Sequence, residues 1–326
     1  MTIQPSRSKS QASLSSPPAG LSRRQLMVAS GAVAASAMVL GPATPAVAKE
    51  PFDRQGQPRF KLSLAAYSLR QSFGFMKGKP RQVPAGERPI DMFSFIDYCG
   101  RQGFEGAELT SYFFPPEADA DYFRNVKRHA FLAGVSVSGT AIGNNFTQAA
   151  GPGLETDIVA AKQWIDHAVE MGAPHVRFFA GKGKELDQHP ERLQTAVQAL
   201  QQCADYAAQR GIFIGVENHG NLRPEQLLKI MRQVDHPWVG INLDTGNFIS
   251  DDPYADLEAC VGYAVNVQLK VNMKRPSGEK YPADLPRVAK ILSQAKYQGY
   301  VVLEYEDESP WENIPKYRER LQKLLS

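Results

Sequence analysis

The sequence predicts an α/β fold, a single-domain (β/α)8 TIM barrel, and three observations lead there. From residue 60 onward, short apolar runs of strand type alternate with helix-like segments, eight of each, over about 265 residues. That count at that length fits a closed barrel better than an open doubly wound sheet. The strand-like runs are almost continuously apolar, as parallel strands covered on both faces are. No Gly-x-Gly-x-x-Gly follows the first run, which disfavours a dinucleotide fold.

Taken in order, the first strand falls at 60–67, and residues 90–101 carry Ile90, Phe93, Ile96 and Tyr98 near helical spacing. Gly103 stops that helix before a strand at 103–109, and helix 119–133 ends at Gly134, a C-cap position, before strand 135–140. Helix 154–171 gathers Ile158, Ala161, Ile165 and Ala168 on one side and stops at Gly172. Strand 174–179, helix 190–210 and strand 212–217 follow, with Gly211 as punctuation. Pro224 suits the first turn of helix 224–234. Strand 238–244, helix 253–263, strand 264–270, helix 284–296, strand 300–305 and helix 310–325 complete the rhythm. The long loops, 74–88 and 271–283, are expected to rim the mouth.

Residues 1–48 stand apart from the fold. A polar stretch leads to Leu21-Ser22-Arg23-Arg24-Gln25-Leu26, then an apolar run at 27–40, then Ala46-Val47-Ala48. That order is expected of a cleaved export signal of twin-arginine type, which places the protein in the periplasm. The apolar run is too short to span a bilayer, so no stable membrane insertion is expected. This leader holds four of the 37 bases and no acid, leaving 33 bases against 34 acids in the expected barrel, residues 49–326. Such a balance offers no basic stripe for nucleic acid. Cys99, Cys203 and Cys260 are far apart and lack metal-binding spacing, so they are expected as buried free thiols.

Four strand-like runs end on an oxygen-bearing side chain: Glu217, Asp244, Gln268 and Glu304. Parallel strands of one barrel place their carboxyl ends on one rim, so these side chains converge there. Three carboxylates crowded in a low-dielectric mouth repel one another unless a cation lies between them, which predicts a divalent metal. Under the same register, Arg177 and Glu108 face the rim, where they either bind substrate or pair with each other. Tyr67, after the first strand, offers a ring that can stack on a substrate ring.

The succession Val-Glu-Asn-His-Gly at 216–220, Asn-Leu-Asp-Thr-Gly-Asn at 242–247, Val-Gln-Leu-Lys at 267–270 and Leu-Glu-Tyr-Glu at 303–306 resembles the xylose-isomerase-like TIM-barrel superfamily, the sugar (phosphate) isomerase/epimerase group. The resemblance implies metal ligation by Glu217, Asp244 and Glu304, with Gln268 standing where relatives usually have a ligating His. An all-oxygen set suits Mn²⁺, with Mg²⁺ or Co²⁺ as alternatives, over Zn²⁺. Asn247 replaces a substrate-contacting His of the epimerase branch. The resemblance also implies that Glu217 and Glu304 exchange a proton with the substrate, and that His219 faces substrate hydroxyls or a ligand carboxylate. Lys270, on the same strand face as Gln268, is positioned to neutralise oxyanion charge.

The expected activity is therefore a metal-dependent sugar isomerase or epimerase, acting by proton removal next to a carbonyl through an enediolate. Its partner is a small-molecule carbohydrate, and homo-oligomerisation stays open. Two alternatives remain at this point. One is a lyase or deglycosidase acting on 3-keto-glycosides; the other is a non-catalytic carbohydrate-binding barrel whose metal site has decayed.

Overall fold

The computed structural model of the chain describes residues 49–326; the export-signal expectation falls on residues 1–48, outside the described residues. Eight parallel strands close into a barrel: β1 (Arg59–Ala65), β2 (Gly106–Thr110), β3 (Ser136–Ala141), β4 (His175–Phe179), β5 (Phe213–Glu217), β6 (Val239–Asp244), β7 (Ala264–Leu269) and β8 (Gln298–Leu303). Each strand pairs with its neighbours in sequence, and β1 closes the ring on β8 with Arg59 opposite Gln298 and Leu64 opposite Leu303.

The surrounding helices are α1 (Met92–Arg101), α2 (Ala120–Leu132), α3 (Pro152–Met171), α4 (Gly183–Gln188), α5 (Arg192–Ala208), α6 (Pro224–Val234), α7 (Pro253–Cys260), α8 (Leu285–Gln294) and α9 (Pro310–Leu325). Their starts follow from local chemistry. Asp91, Asp119, Asp252 and Asp284 each accept a backbone N–H of the first turn, satisfying a donor that has no partner inside the helix. Gly172 takes φ 75° to end α3, a left-handed conformation that only glycine adopts without strain.

Three local expectations are revised. The loops at 74–88 and 271–283 contain short hairpins, Phe75–Met76 with Lys79–Pro80 and Asn272–Lys274 with Lys280–Pro282. The single-turn helix α4 has no counterpart among the expected elements. Strand β8 begins and ends two residues earlier than its apolar run suggests, so Glu304 follows the strand rather than lying within it. Pairing with β1 sets that register.

The main apolar core lies between the barrel and the helix ring, where the outward residues of the strands meet Phe95, Ile96, Phe123, Ile165, Leu200, Ile230 and Leu292. The lumen is more polar than near-continuous apolar strands suggest. Ser63 and Ser138 hydroxyl oxygens lie 2.6 Å apart, and Asn266 Nδ2 donates to Asn242 Oδ1 at 2.7 Å. These cross-strand bonds offset part of the penalty of burying the groups, although Asn242 Nδ2 and Asn266 Oδ1 stay without a partner among the described residues. His175 fits beside them because its β3 neighbour is Gly139: a Cβ there would lie 2.1 Å from the imidazole Cε1.

Residues before β1 close the amino end of the barrel. Lys49 Nζ donates to the carbonyl of His236 at 2.6 Å and also to that of Val239, while Phe52 packs edge-on against Phe213. The three cysteines are buried free thiols. Among the described residues, no helix is long and apolar enough to cross a membrane.

Candidate active site

Strand alternation and parallel register together build the site at the carboxyl end of the barrel. Glu108 of β2, Arg177 of β4, Glu217 of β5, Gln268 of β7 and Glu304 after β8 line one cavity of about 310 Å³. Tyr67, His219, Asn247 and Lys270 line it too. Asp244, at the end of β6, is wholly buried beneath its wall, opposite Gln268 in the β6–β7 register. All ten side chains singled out in the sequence thus gather at one rim, nine on the cavity and one behind it.

Two cations organise the carboxylates. Lys270 Nζ donates to Glu304 Oε1 at 2.7 Å, lies 3.6 Å from Asp244 Oδ2 and also bonds Glu306. Arg177 Nε stands 2.9 Å from Glu217 Oε2, an ion pair rather than an aligned hydrogen bond, while its Nη1 donates to the Ile142 carbonyl at 2.6 Å. The guanidinium carbon lies 4.0 Å from the Phe179 ring centre, and that ring stacks on His219 at 4.0 Å. Arg177 pairs with Glu217, not with Glu108. Glu108 is reached from across the lumen, by Gln268 Nε2 at 3.1 Å. Asn247 Nδ2 donates to Glu217 Oε1 at 3.0 Å.

The electrostatics follow from this crowding. Burial, then the charge of Glu304, pushes the Glu108 carboxyl up to about 7. Burial also lifts Glu217 to about 7, with Arg177 opposing and Glu304 adding to the shift. Asp244 is raised well above the carboxylate range, by burial first, against the pull of Lys270. Glu304 goes the other way. Burial would lift it, but the charge and hydrogen bond of Lys270 outweigh burial and hold it below the usual value. Those neighbouring carboxylates keep Lys270 firmly charged in spite of burial.

The residues fit a hard divalent cation in donor type and in charge. Five carboxyls, of Glu108, Glu217, Asp244, Glu304 and Glu306, face two buried cations, and Asp244 Oδ2 and Glu108 Oε2 are buried with no hydrogen-bond partner. The side chains do not close around one point, however. Among the described residues, no group of three or more His, Cys, Asp or Glu is arranged to hold an ion. The expected meeting of three carboxylates around one ion is replaced by pairing with side-chain cations: Lys270 draws Asp244 and Glu304 while Arg177 draws Glu217.

Several lining residues escaped the sequence reading. Glu306 follows Glu304 by two, the same strand-face spacing that singled out Lys270 after Gln268, so the signal was present. Lys77 and Thr110 come from a loop and a strand end and carried no distinguishing pattern.

With this geometry in view, comparison with known proteins is informative. A family profile described as "Xylose isomerase-like TIM barrel" matches residues 96–326. No sequence among curated proteins matches. Among solved structures, D-psicose 3-epimerase from Clostridium cellulolyticum H10, determined with D-tagatose, superposes with a TM-score of 0.62 at 13% identity, over 82% of this chain and 99% of that one. A probable 3-DHS dehydratase from Bacillus anthracis gives 0.61 at 16% identity, over 80% and 98%. A xylose isomerase-like TIM-barrel protein from Mycobacterium smegmatis, in complex with magnesium, gives 0.61 at 15% identity, over 81% and 96%. At such identities these structures speak for the fold.

Proposed function

The chain belongs to the xylose isomerase-like TIM-barrel family, and on that premise we propose that it isomerises or epimerises a sugar by moving a proton at the carbon beside a carbonyl. The observation that carries this reading is the cavity itself. Two carboxyls, Glu217 at the end of β5 and Glu304 after β8, line one cavity, each paired with a buried cation. A carbon acid next to C=O needs a base on one side and positive charge where its oxygens become negative. In this arrangement one of the two glutamates takes the proton and the other returns it. Lys270 and Arg177 hold these carboxyls in place and lend positive charge to the developing oxyanion. Asn247, bonded to Glu217, and His219, stacked on Phe179, orient sugar hydroxyls.

Held by oxygens of Glu217, Asp244, Gln268 and Glu304, a divalent cation, Mn²⁺ before Mg²⁺ or Co²⁺, would supply further Lewis-acid charge at the substrate oxygens. The magnesium complex of the M. smegmatis protein supports such a cation by analogy.

A second reading, elimination from a 3-keto-glycoside, starts with the same proton removal. It is favoured by the neighbouring cavity beyond Tyr112, which has room for a departing group. Export to the periplasm through the leader at 1–48 completes the proposal; cell fractionation tests it, and a cytoplasmic product would remove it.

Proton NMR in D₂O with a panel of free sugars tests the chemistry. The protein should exchange one carbon-bound proton of its substrate, and Glu304→Gln should slow that exchange by about 10²-fold or more. Release of the aglycone from a 3-keto-glycoside added to the panel would select elimination instead. Undiminished exchange in Glu304→Gln would place the base elsewhere.

A further inference from the structure

Resting on the enolisation reading above, we infer that the substrate is a reducing disaccharide: its reducing residue, ring-opened to free the carbonyl, lies over Glu217 and Glu304, and its second ring fills an adjoining cavity beyond Tyr112. That adjoining cavity, at about 410 Å³, is larger than the 310 Å³ of the first. Tyr112 and Lys77 line both, so the two spaces meet at one aromatic ring.

The ring is held in that dividing position. Lys77 N donates to the Tyr112 carbonyl at 2.8 Å, and Lys77 Nζ sits 4.9 Å from the ring centre. Behind the ring, a Cβ on Gly143 would come within 2.4 Å of Tyr112 Oη, so a residue without a side chain lets the tyrosine stand there. The far wall is Trp164 of α3, fixed by its Nε1 donating to Thr140 Oγ1 at 2.9 Å and by edge contacts to Phe114 and Phe123.

The rest of the lining suits a neutral sugar ring. Gln163 and His167 have no side-chain hydrogen-bond partner among the described residues and offer planar polar edges to hydroxyls. The one carboxylate, Asp157, is already engaged by Asn145 N at 3.0 Å and Gln148 Nε2 at 2.9 Å. Among the described residues lining it, Lys77 is the only Lys or Arg, which leaves little to hold a phosphate. Aromatic faces with amide and imidazole edges match the C–H face and hydroxyl rim of a pyranose.

The test uses maltose, cellobiose and lactose beside glucose, with Ala160→Trp as the probe. Ala160 lines the second cavity from an exposed position on α3 and does not touch the first, so the indole would fill the space without disturbing the core. At least one disaccharide should exchange deuterium with a kcat/KM about tenfold or more above that of glucose. Ala160→Trp should remove that gain and leave glucose unchanged. Equal rates for glucose and every disaccharide, or a preference that survives Ala160→Trp, would overturn the inference.

Saturation-transfer NMR separates this outcome from failure of the enolisation reading. If no sugar exchanges, transfer from the protein to second-ring protons, lost in Ala160→Trp, still places that ring in the cavity. No transfer to any disaccharide removes the inference outright.

Discussion

The ammonium of Lys270 donates to Glu304 Oε1 at 2.7 Å and lies 3.6 Å from Asp244 Oδ2, so one cation from the end of β7 serves carboxylates from the ends of β6 and β8. Lys270 is only 8% exposed, Asp244 0%. In such surroundings, removing one partner leaves a charge without water or counter-ion, which is the costly way to break a buried pair.

Lys270→Met should therefore lower unfolding stability in urea by about 3–5 kcal/mol. Adding Glu304→Gln should recover part of that loss, because the stranded carboxylate is gone. Strict additivity of the two substitutions would show that the pair is not coupled.

Calorimetric titration with Mn²⁺ should find one ion per chain, and Asp244→Asn should weaken it by about tenfold or more. Gln268→Leu separates two roles of that amide. As a ligand its loss weakens the ion; as a mere bridge to Glu108 it leaves the affinity unchanged. An ion bound equally well by both variants would dissolve the ligand set.

His175 predicts an acid sensitivity. Burial, and then the charge of Arg177, lowers its pKa from 6.5 to about 4, and its Nε2 has no hydrogen-bond partner. The unfolded chain takes up this proton near its ordinary pKa, the folded chain only near 4, so the stability is complete above 6.5 and lost as pH falls. The depressed pKa corresponds to about 3 kcal/mol lost by pH 4. His175→Gln should show a correspondingly flatter dependence in urea unfolding between pH 7.5 and 4. Parallel curves would show that this histidine is not the group responsible.

Gly139→Ala should destabilise by about 1–3 kcal/mol, because the added methyl meets the buried His175 ring. Paired with His175→Ala, the methyl should become nearly neutral. A cost that persists without the imidazole would locate the strain in the β3 backbone instead.

How far the site was legible depended on where each residue sits in its element. Glu217 and Asp244 end apolar strand-like runs, so the alternation of strands and helices placed them on the rim. Asn247 and His219 followed from local motifs. Lys77, which shares with Tyr112 the divide between the two cavities, comes from a hairpin tip, where periodicity carries no information. The helix bounds were equally uneven: 224–234 and 310–325 came out of proline and spacing signals without error, while β8 slid two residues because partner register overrides the apolar run.

By itself the sequence determined the alternation of strands and helices, and with it the one rim to which Glu217, Asp244, Gln268 and Glu304 belong, because period and turn chemistry are local properties. Only the tertiary structure decided which charges pair there. Lys270 takes Asp244 and Glu304, Arg177 takes Glu217, and Gln268 reaches across the lumen to Glu108. Those choices depend on distances of a few ångström between strands far apart in the chain, and on a low-dielectric interior that makes each of them strong.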